Sequence, residues 1–153
     1  MTDVTLKPAT EKDIDLFLEI ERSVDDSRTF SATTTKEEAE EEFKSNKIFF
    51  IENKGEVAGL ISYEPKSQDS VYLSDFIVLP KLQGRGIGRE ALKQILDELK
   101  WAKRIYFVTH PDNVRGLALY KSFGFQVEDR KENYFGDGEP RLVMARINSR
   151  ATI

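Results

Sequence analysis

Between residues 83 and 89 the chain reads Gln83-Gly84-Arg85-Gly86-Ile87-Gly88-Arg89, with three glycines in five residues and two arginines among them. Glycine lets a backbone take positive φ and come close to a ligand. A helix that begins there presents unpaired N–H groups carrying partial positive charge. With Arg85 and Arg89 beside them, such amides make a cradle for a phosphate. The plainer alternative is a tight strand-to-helix connection that binds nothing. Two nucleotide motifs can be tested on spacing. A dinucleotide fingerprint needs G-x-G-x-x-G, and Arg89 occupies the third glycine position. The acidic residue expected about 20 positions on falls at Val108 and Thr109. A P-loop needs Gly-Lys-Ser/Thr where the chain has Arg89. Neither nucleotide form fits.

Other side chains able to do chemistry are few. The 153 residues include no cysteine and one histidine, His110. Disulfides, Cys-ligated metal centres and a thiol nucleophile are excluded, and with them an acyl-thioester intermediate on the enzyme. One histidine excludes a two-His metal motif but leaves a base, and no metal is expected. Lys plus Arg is 23 against 27 for Asp plus Glu, a formal charge of −4. That balance argues against nucleic acid as partner, even though Arg85, Arg89 and Lys93 form a row spaced by four. The acidic run Glu37–Glu42 is either a solvated helix face or a surface for a cationic substrate, and Glu132, Asp137 and Glu139 could serve the same substrate.

These residues need elements to hold them. Val4–Lys7 reads as a strand ending at Pro8. Residues 11–24, behind an N-cap at Thr10, read as an amphipathic helix with Ile14, Phe17 and Leu18 on its apolar stripe. Asp25 to Thr35 is a polar loop. Thr35-Lys-Glu-Glu38 has the form of a capping box that opens a helix through Ser45. Lys47–Glu52 and Glu56–Tyr63 are strands joined by a turn at Asn53-Lys54-Gly55, and Val71–Leu79 is a third. A helix over Arg89–Leu99, a strand over Arg104–Thr109 and a helix over Asn113–Ser122 follow, the last closed by Gly124. Phe125–Lys131 and Arg141–Ile147 are strands around the turn Gly136-Asp137-Gly138. The expectation is one mixed α/β domain over residues 1–147, with a tail at 148–153. Apolar runs reach only about four residues, far short of the ~20 of a membrane span. Met1 to Lys7 has no signal-peptide pattern, so a cytoplasmic, membrane-free protein is expected.

The spacing Gln83-x-x-Gly86-x-Gly88 resembles the acetyl-CoA pyrophosphate loop of the GNAT family of N-acetyltransferases. Asp75-Phe-Ile-Val-Leu-Pro-Lys-Leu precedes it like that family's fourth strand. Asn113 to Phe125, with Asn-x6-Tyr-x2-Phe-Gly-Phe, is similar to its second motif. The resemblance runs from Val4 to Ile147. It implies a mostly antiparallel sheet with flanking helices, acetyl-CoA as cosubstrate, and an amine acceptor. Backbone groups of Phe76, Ile77 and Val78 would then bind the pantetheine arm. Amides of Gly84, Arg85, Gly86, Ile87, Gly88 and Arg89, after Gln83, would hold the pyrophosphate. Asn113 would touch the arm, and Tyr120 would protonate the departing thiolate.

The stretch Asn133–Met144 is similar to the branch that acetylates the N-terminal alanine of a ribosomal protein. That branch keeps a glutamate base five residues before the asparagine, where this chain has Val108. His110, two residues on, shares a strand face with that position and is one candidate base. Asp75 and Ser74, expected on opposite faces of their strand, and a water chain are the others. The acceptor is then a protein N-terminus or Lys, or a small molecule such as a polyamine, amino acid or aminoglycoside. A non-catalytic acyl-CoA sensor or partner-binding module is the reading outside enzymes, and a homodimer is left open.

Overall fold

The computed structural model describes residues 3–24 and 32–148. Residues 25–31 of the loop expected from Asp25 to Thr35, and 149–153 of the tail expected at 148–153, lie outside the described residues. Strand β1 is Val4–Pro8, and a 3-10 turn at Glu11–Asp13 leads into helix α1, Ile14–Ser23. The predicted helix at 11–24 is thus split. The Thr10 N–H bonds the Asp13 side chain in a capping box, which tightens the first turn. Helix α2 is Lys36–Ser45, and its capping box joins Thr35 and Glu38 as the sequence predicts.

Strands β2 (Lys47–Asn53) and β3 (Glu56–Pro65) form a hairpin over Lys54 and Gly55, both at positive φ, as a two-residue hairpin turn requires. Then come β4 (Ser70–Val78), α3 (Ile87–Glu98), β5 (Arg104–Thr109), α4 (Val114–Ser122), β6 (Gln126–Lys131) and β7 (Arg141–Ile147). Helix α3 begins two residues before the predicted Arg89, because Gly86 at φ +82° serves as its N-cap. Asn148, expected in the tail, is tied down by its N–H to Lys103 O at 2.8 Å.

The strands make one seven-stranded sheet in the order β1-β2-β3-β4-β5-β7-β6. Every pairing is antiparallel except β4 with β5. Each face buries its own core. On one face Phe17, Leu18 and Ile20 of α1 and Ala39 of α2 pack on Ile48, Phe50, Leu60 and Ile77. On the other, Ala91, Leu92, Ile95 and Leu96 of α3 pack on Ile51, Ile61, Val71, Ile105 and Met144. The helices are therefore layered on both faces of a mixed sheet, a single α/β domain. Among the described residues no helix is long and apolar enough to cross a membrane.

Candidate active site

Strands β4 and β5 pair over only three positions, Ser70 with Arg104, Val71 with Ile105 and Tyr72 with Tyr106. Beyond them the strands part. An extra residue in β4 accompanies the parting: Ser62 opposes Asp75 and Tyr63 opposes Leu73, which leaves Ser74 without a partner on β3. Such a bulge bends a strand and strengthens its twist. It also breaks alternation. Ser74 bonds Asn46 at the end of α2, and Asp75 bonds Ser62, so both turn toward the α1/α2 side rather than to opposite faces.

The parting leaves one edge of β4 open. The Leu79 N–H donates to Ala58 O, and Ile77 opposes Leu60 in the same register. By antiparallel alternation, the N–H and C=O groups of Phe76 and Val78 point away from β3 into the gap. The Val78 C=O accepts from Gln83 Nε2 at 2.9 Å, which anchors the glycine turn to the strand. Gly84 and Gly86 sit at φ +81° and +82°, and no side chain caps the first amides of α3. At Gly88 a Cβ would stand 3.3 Å from Val78 Cγ2 and 3.4 Å from Phe76 Cζ, so the helix start lies directly against β4. Ile87 turns into the core.

A cleft of about 750 Å³ runs along this edge, lined by Phe76, Ile77, Val78, Gln83, Gly84, Gly86, Gly88, Arg89, Asn113, Arg115 and Tyr120 among others. Arg85 and Ile87 are not in its lining. Arg89 reaches α4, with Nη1 at 3.4 Å from Ser122 Oγ and the guanidinium 5.6 Å from the Phe123 ring centroid. Arg115 supplies a cation that the sequence reading did not pick out. Its Nη1 lies 3.7 Å from where a Cβ on Gly84 would be.

Asn113 caps α4 by accepting the Gly116 N–H at 3.2 Å, while its Nδ2 donates to Thr109 Oγ1 at 3.1 Å. One α-helical stretch later Tyr120 is buried in an aromatic cage. Its ring centroid lies 4.6 Å from Phe107, 6.3 Å from Phe76 and 6.5 Å from Phe125. Phe125 is placed by the helix ending, where Phe125 N–H bonds Tyr120 O and Gly124 N–H bonds Lys121 O, the two bonds of a Schellman turn. Burial pushes the Tyr120 phenol up to about 12, and hydrogen bonding with Asn113 offsets part of that rise.

A smaller cavity of about 130 Å³ opens on the other side of the gap, between Tyr72, Ser74, Asp75, Val108, Phe135 and Arg141. Phe76, Asn113 and Tyr120 line both spaces, so the cleft and the cavity meet there. Arg141 is only 2% exposed. Its Nη2 is 3.3 Å from Asp137, Nη1 donates to Pro140 O at 3.0 Å, and its guanidinium stands 5.1 Å from the Phe135 ring centroid. The Asp137 carboxyl is held below the usual range, first by the Glu139 N–H and then by Arg141.

His110 lines neither space. It is buried, its Nδ1 accepts the Asp112 N–H at 3.0 Å, and Nε2 is 2.7 Å from Glu139 Oε1. An accepting Nδ1 puts the ring hydrogen on Nε2, which donates to Glu139.

Behind Asp75 stand two carboxyls, Glu21 of α1, which sequence reasoning did not select, and Glu42 of α2, which it weighed only as part of the run Glu37–Glu42. Glu21 is fully buried. Desolvation, with the nearby Asp75 charge, pushes Glu21 up to about 9 and Glu42 up to about 10. The signal was present for Glu21, which stands four residues after Phe17 in the apolar stripe of α1. Of the run Glu37–Glu42, Glu37, Glu38, Glu40 and Glu41 are exposed, and Glu42 turns inward. Among the described residues no group of three or more His, Asp or Glu is arranged to hold a metal ion.

The model of the acetyltransferase (GNAT) family matches residues 17–125. A spermine/spermidine N(1)-acetyltransferase of Bacillus subtilis is 34% identical over 82 residues, 47% of this chain and 54% of that protein. The N-alpha-acetyltransferase RimI of Mycobacterium tuberculosis is 41% identical over 68 residues, 44% of this chain and 42% of that one. The chain spans about half the length of the curated relatives it matches. Among solved structures, the ribosomal-protein-S18-alanine N-acetyltransferase from Escherichia coli superposes with a TM-score of 0.80 at 22% identity, covering 94% of this chain and 93% of the other. An acetyltransferase from Elizabethkingia anophelis with acetyl-CoA bound gives a TM-score of 0.75 at 20% identity over 95% and 98% of the two chains. These likenesses are of fold.

Proposed function

This chain belongs to the acetyltransferase (GNAT) family, and on that footing we propose that it transfers an acetyl group from acetyl-CoA to a primary amine by direct attack in a ternary complex. The observation that carries the reading is the junction at Phe76, Asn113 and Tyr120, where the long cleft and the small cavity meet. A cosubstrate in the cleft and an amine in the cavity would have their reacting atoms brought together there.

The cleft fits acetyl-CoA in its chemistry. Open amides at the start of α3, with Arg89 and Arg115 beside them, suit a pyrophosphate. The free edge of β4 at Phe76 and Val78 suits the amides of a pantetheine arm, which can extend the sheet as a further strand would. The amine nitrogen attacks the thioester carbon, the Phe76 N–H polarises the carbonyl oxygen, and the carbon–sulfur bond breaks.

Two protons must be accounted for. Tyr120 donates a hydrogen bond to the departing sulfur. With its phenol near 12 against about 8.5 for a thiol, a lone phenolate is the costly species. The phenol therefore gives up its proton only as it regains one, and the amine is the source. The other proton is the one an acceptor arriving as an ammonium must lose before it attacks; of the candidates to take it, Asp75 is the carboxyl that lines the acceptor cavity beside Phe76. His110 in this reading positions Glu139 and the start of β7, since both ring nitrogens are engaged.

The relatives leave the acceptor class open between a ribosomal protein N-terminus and a polyamine. Incubation with acetyl-CoA and a panel of peptides, alkylamines and polyamines, read as free CoA released, tests the reaction. Tyr120→Phe should lower kcat on the order of 10²-fold or more while leaving acetyl-CoA affinity near that of the parent. Retained kcat with chemistry rate-limiting removes Tyr120 from the mechanism. Binding of acetyl-CoA with no turnover of any amine instead supports an acyl-CoA sensor.

A further inference from the structure

Arg141 is the first residue of β7. Leu142 and Met144 pack into the core beneath α3, so period-two alternation turns Arg141 to the opposite face, the face to which Asp75 also turns. Both line the small cavity of about 130 Å³ at the proposed acceptor site. Among the described residues that line it, Arg141 is the one cationic side chain.

A guanidinium has five N–H donors. Nη1 gives one to Pro140 O and Nη2 gives one to Asp137 Oδ2, and the other three have no acceptor among the described residues. The turn that carries Asp137 holds its shape by other bonds. Gly136 and Gly138 N–H donate to Asn133 O and Oδ1 at 3.2 and 2.6 Å, and Glu139 N–H donates to Asp137 Oδ1 at 2.9 Å. His110 Nε2 secures the Glu139 side chain at 2.7 Å. Burying a cation is costly, and an aliphatic side chain would fill this position without that cost. Asp137 balances the charge at 3.3 Å and the Phe135 ring supports the guanidinium at 5.1 Å. The fork is therefore fixed before any ligand arrives, with donors to spare at the wall of a cavity.

We propose that Arg141 is the specificity-determining cation of the acceptor cavity, where it binds an oxygen carried on the carbon next to the one that bears the reacting amine. The acceptor is then an α-amino acid or the first residue of a peptide. The inference rests on the amine-transfer reading above and adds to it the group that selects the substrate. A guanidinium fork meets a carboxylate or carbonyl through directed, charge-assisted N–H bonds. In an α-amino carbonyl compound the nitrogen and the oxygen are separated by only two carbons, so one small cavity takes both. The nitrogen then lies toward the junction at Phe76, Asn113 and Tyr120, and the oxygen lies at Arg141. Asp75 in the same lining suits the ammonium form of the same molecule. An alkyl diamine would instead bring a second ammonium toward a buried cation, which repels it.

The test measures kcat/KM, per unprotonated amine, on the full chain with acetyl-CoA and four acceptors: L-alanine, L-alaninamide, isopropylamine and 1,4-diaminobutane. Isopropylamine is alanine with a methyl group in place of the carboxylate, and alaninamide stands for the first residue of a peptide. Alanine or alaninamide should exceed isopropylamine by about tenfold or more, the size of a hydrogen bond to a charged group, and the diamine should not. A preference led by alanine names a free amino acid, and one led by alaninamide names a chain N-terminus. Arg141→Met keeps the length of the side chain and removes its donors, and thermal unfolding checks its fold. It should bring the ratio near one through loss on the oxygen-bearing acceptors, with isopropylamine turnover and acetyl-CoA affinity near those of the parent. Asp137→Asn leaves the fork in place and removes its counter-charge, so alanine should gain several-fold over alaninamide whether or not Arg141→Met folds. Equal kcat/KM for isopropylamine and both alanine compounds, or a preference for the diamine, overturns the oxygen site and leaves acetyl transfer standing. So does an undiminished preference or an equal loss on every acceptor in Arg141→Met, or an unchanged alanine to alaninamide ratio in Asp137→Asn. Turnover of none of these amines nor of any member of the wider panel overturns the transfer reading itself.

Discussion

A phenol held near 12 and two carboxyls held near 9 and 10 make opposite demands on pH. For Tyr120 the consequence is catalytic. A donor that ionises only near 12 stays protonated throughout the working range, so its loss cannot produce an alkaline fall in kcat below about pH 10. The expected profile rises as the amine deprotonates and then holds level. A fall with a midpoint near pH 9 would sink the assignment of Tyr120 as the donor. For Glu21 and Glu42 the consequence is stability. Each gives up its proton at 4.5 when the chain is unfolded and only at about 9 or 10 when it is folded. Between those limits the folded chain holds more protons, so the contribution is fully present below 4.5 and falls as pH rises toward 9. The slope is at most about 1.4 kcal/mol per pH unit for each group. Glu21→Gln removes one of the two. Its unfolding temperature should exceed the parent's at pH 8.5 and converge with it near pH 5, and parallel curves across that span would refute the buried protonated state.

At the scale of elements, the glycine turn separates two effects that substitution can distinguish. A Cβ on Gly86 would meet nothing within 4 Å, but φ is +82° there, so Gly86→Ala costs about 1–2 kcal/mol through the backbone alone. A Cβ on Gly88 needs no such backbone but presses on the side-chain ends of Val78 and Phe76, which must give by a few tenths of an ångström. Overpacking of this kind costs about 1–3 kcal/mol. Both variants should unfold at lower temperature, but Gly88→Ala also shifts the Phe76 and Val78 side chains that line the cleft and should weaken acetyl-CoA binding by the larger factor, read by calorimetry. Equal losses would mean that the β4 edge does not contact the cosubstrate. The turn itself was legible from its glycines, as were the N-cap at Thr10, the Thr35–Glu38 capping box and the Lys54-Gly55 hairpin, because each is a local pattern of a few residues. The bulge at Ser74 was not, since it depends on which residues of β3 lie opposite. For the same reason period-two alternation misplaced Ser74 and Asp75. Arg115 escaped notice because its nearness to Gly84 is a matter of how α4 packs, and Glu42 was not told apart from the rest of the run Glu37–Glu42 because its inward turn depends on helix packing.

The whole molecule is held together at its middle by little backbone pairing. Strands β1 to β4 form one half of the sheet and β5, β7 and β6 the other, and among the described residues the strand pairing that joins them is the three pairs from Ser70–Arg104 to Tyr72–Tyr106, with Lys103 and Arg104 N–H donating to Asp69 O at its start. Further along, the two halves are bridged by side chains: Phe76 and Phe107 both pack on Tyr120, and Arg89 of α3 reaches Ser122 of α4. A ligand in the cleft touches both halves, from Phe76 and Val78 on one side to Asn113, Arg115 and Tyr120 on the other. CoA should therefore act as a clamp as well as a cosubstrate. By mass action a ligand at a hundred times its Kd stabilises by about 2.7 kcal/mol, which for a chain of this size raises the unfolding temperature on the order of 5–10 °C. Stabilisation alone follows from any binding, so the discriminating measurement is where amide exchange slows. Clamping predicts slower exchange at Phe76 and Val78, at the first turn of α3, and also across the Ser70–Tyr72 and Arg104–Tyr106 ladder, which CoA need not touch. Protection confined to the turn and the β4 edge, with the ladder exchanging as before, would show that the halves are already fixed by their side chains and that the cleft is a rigid slot.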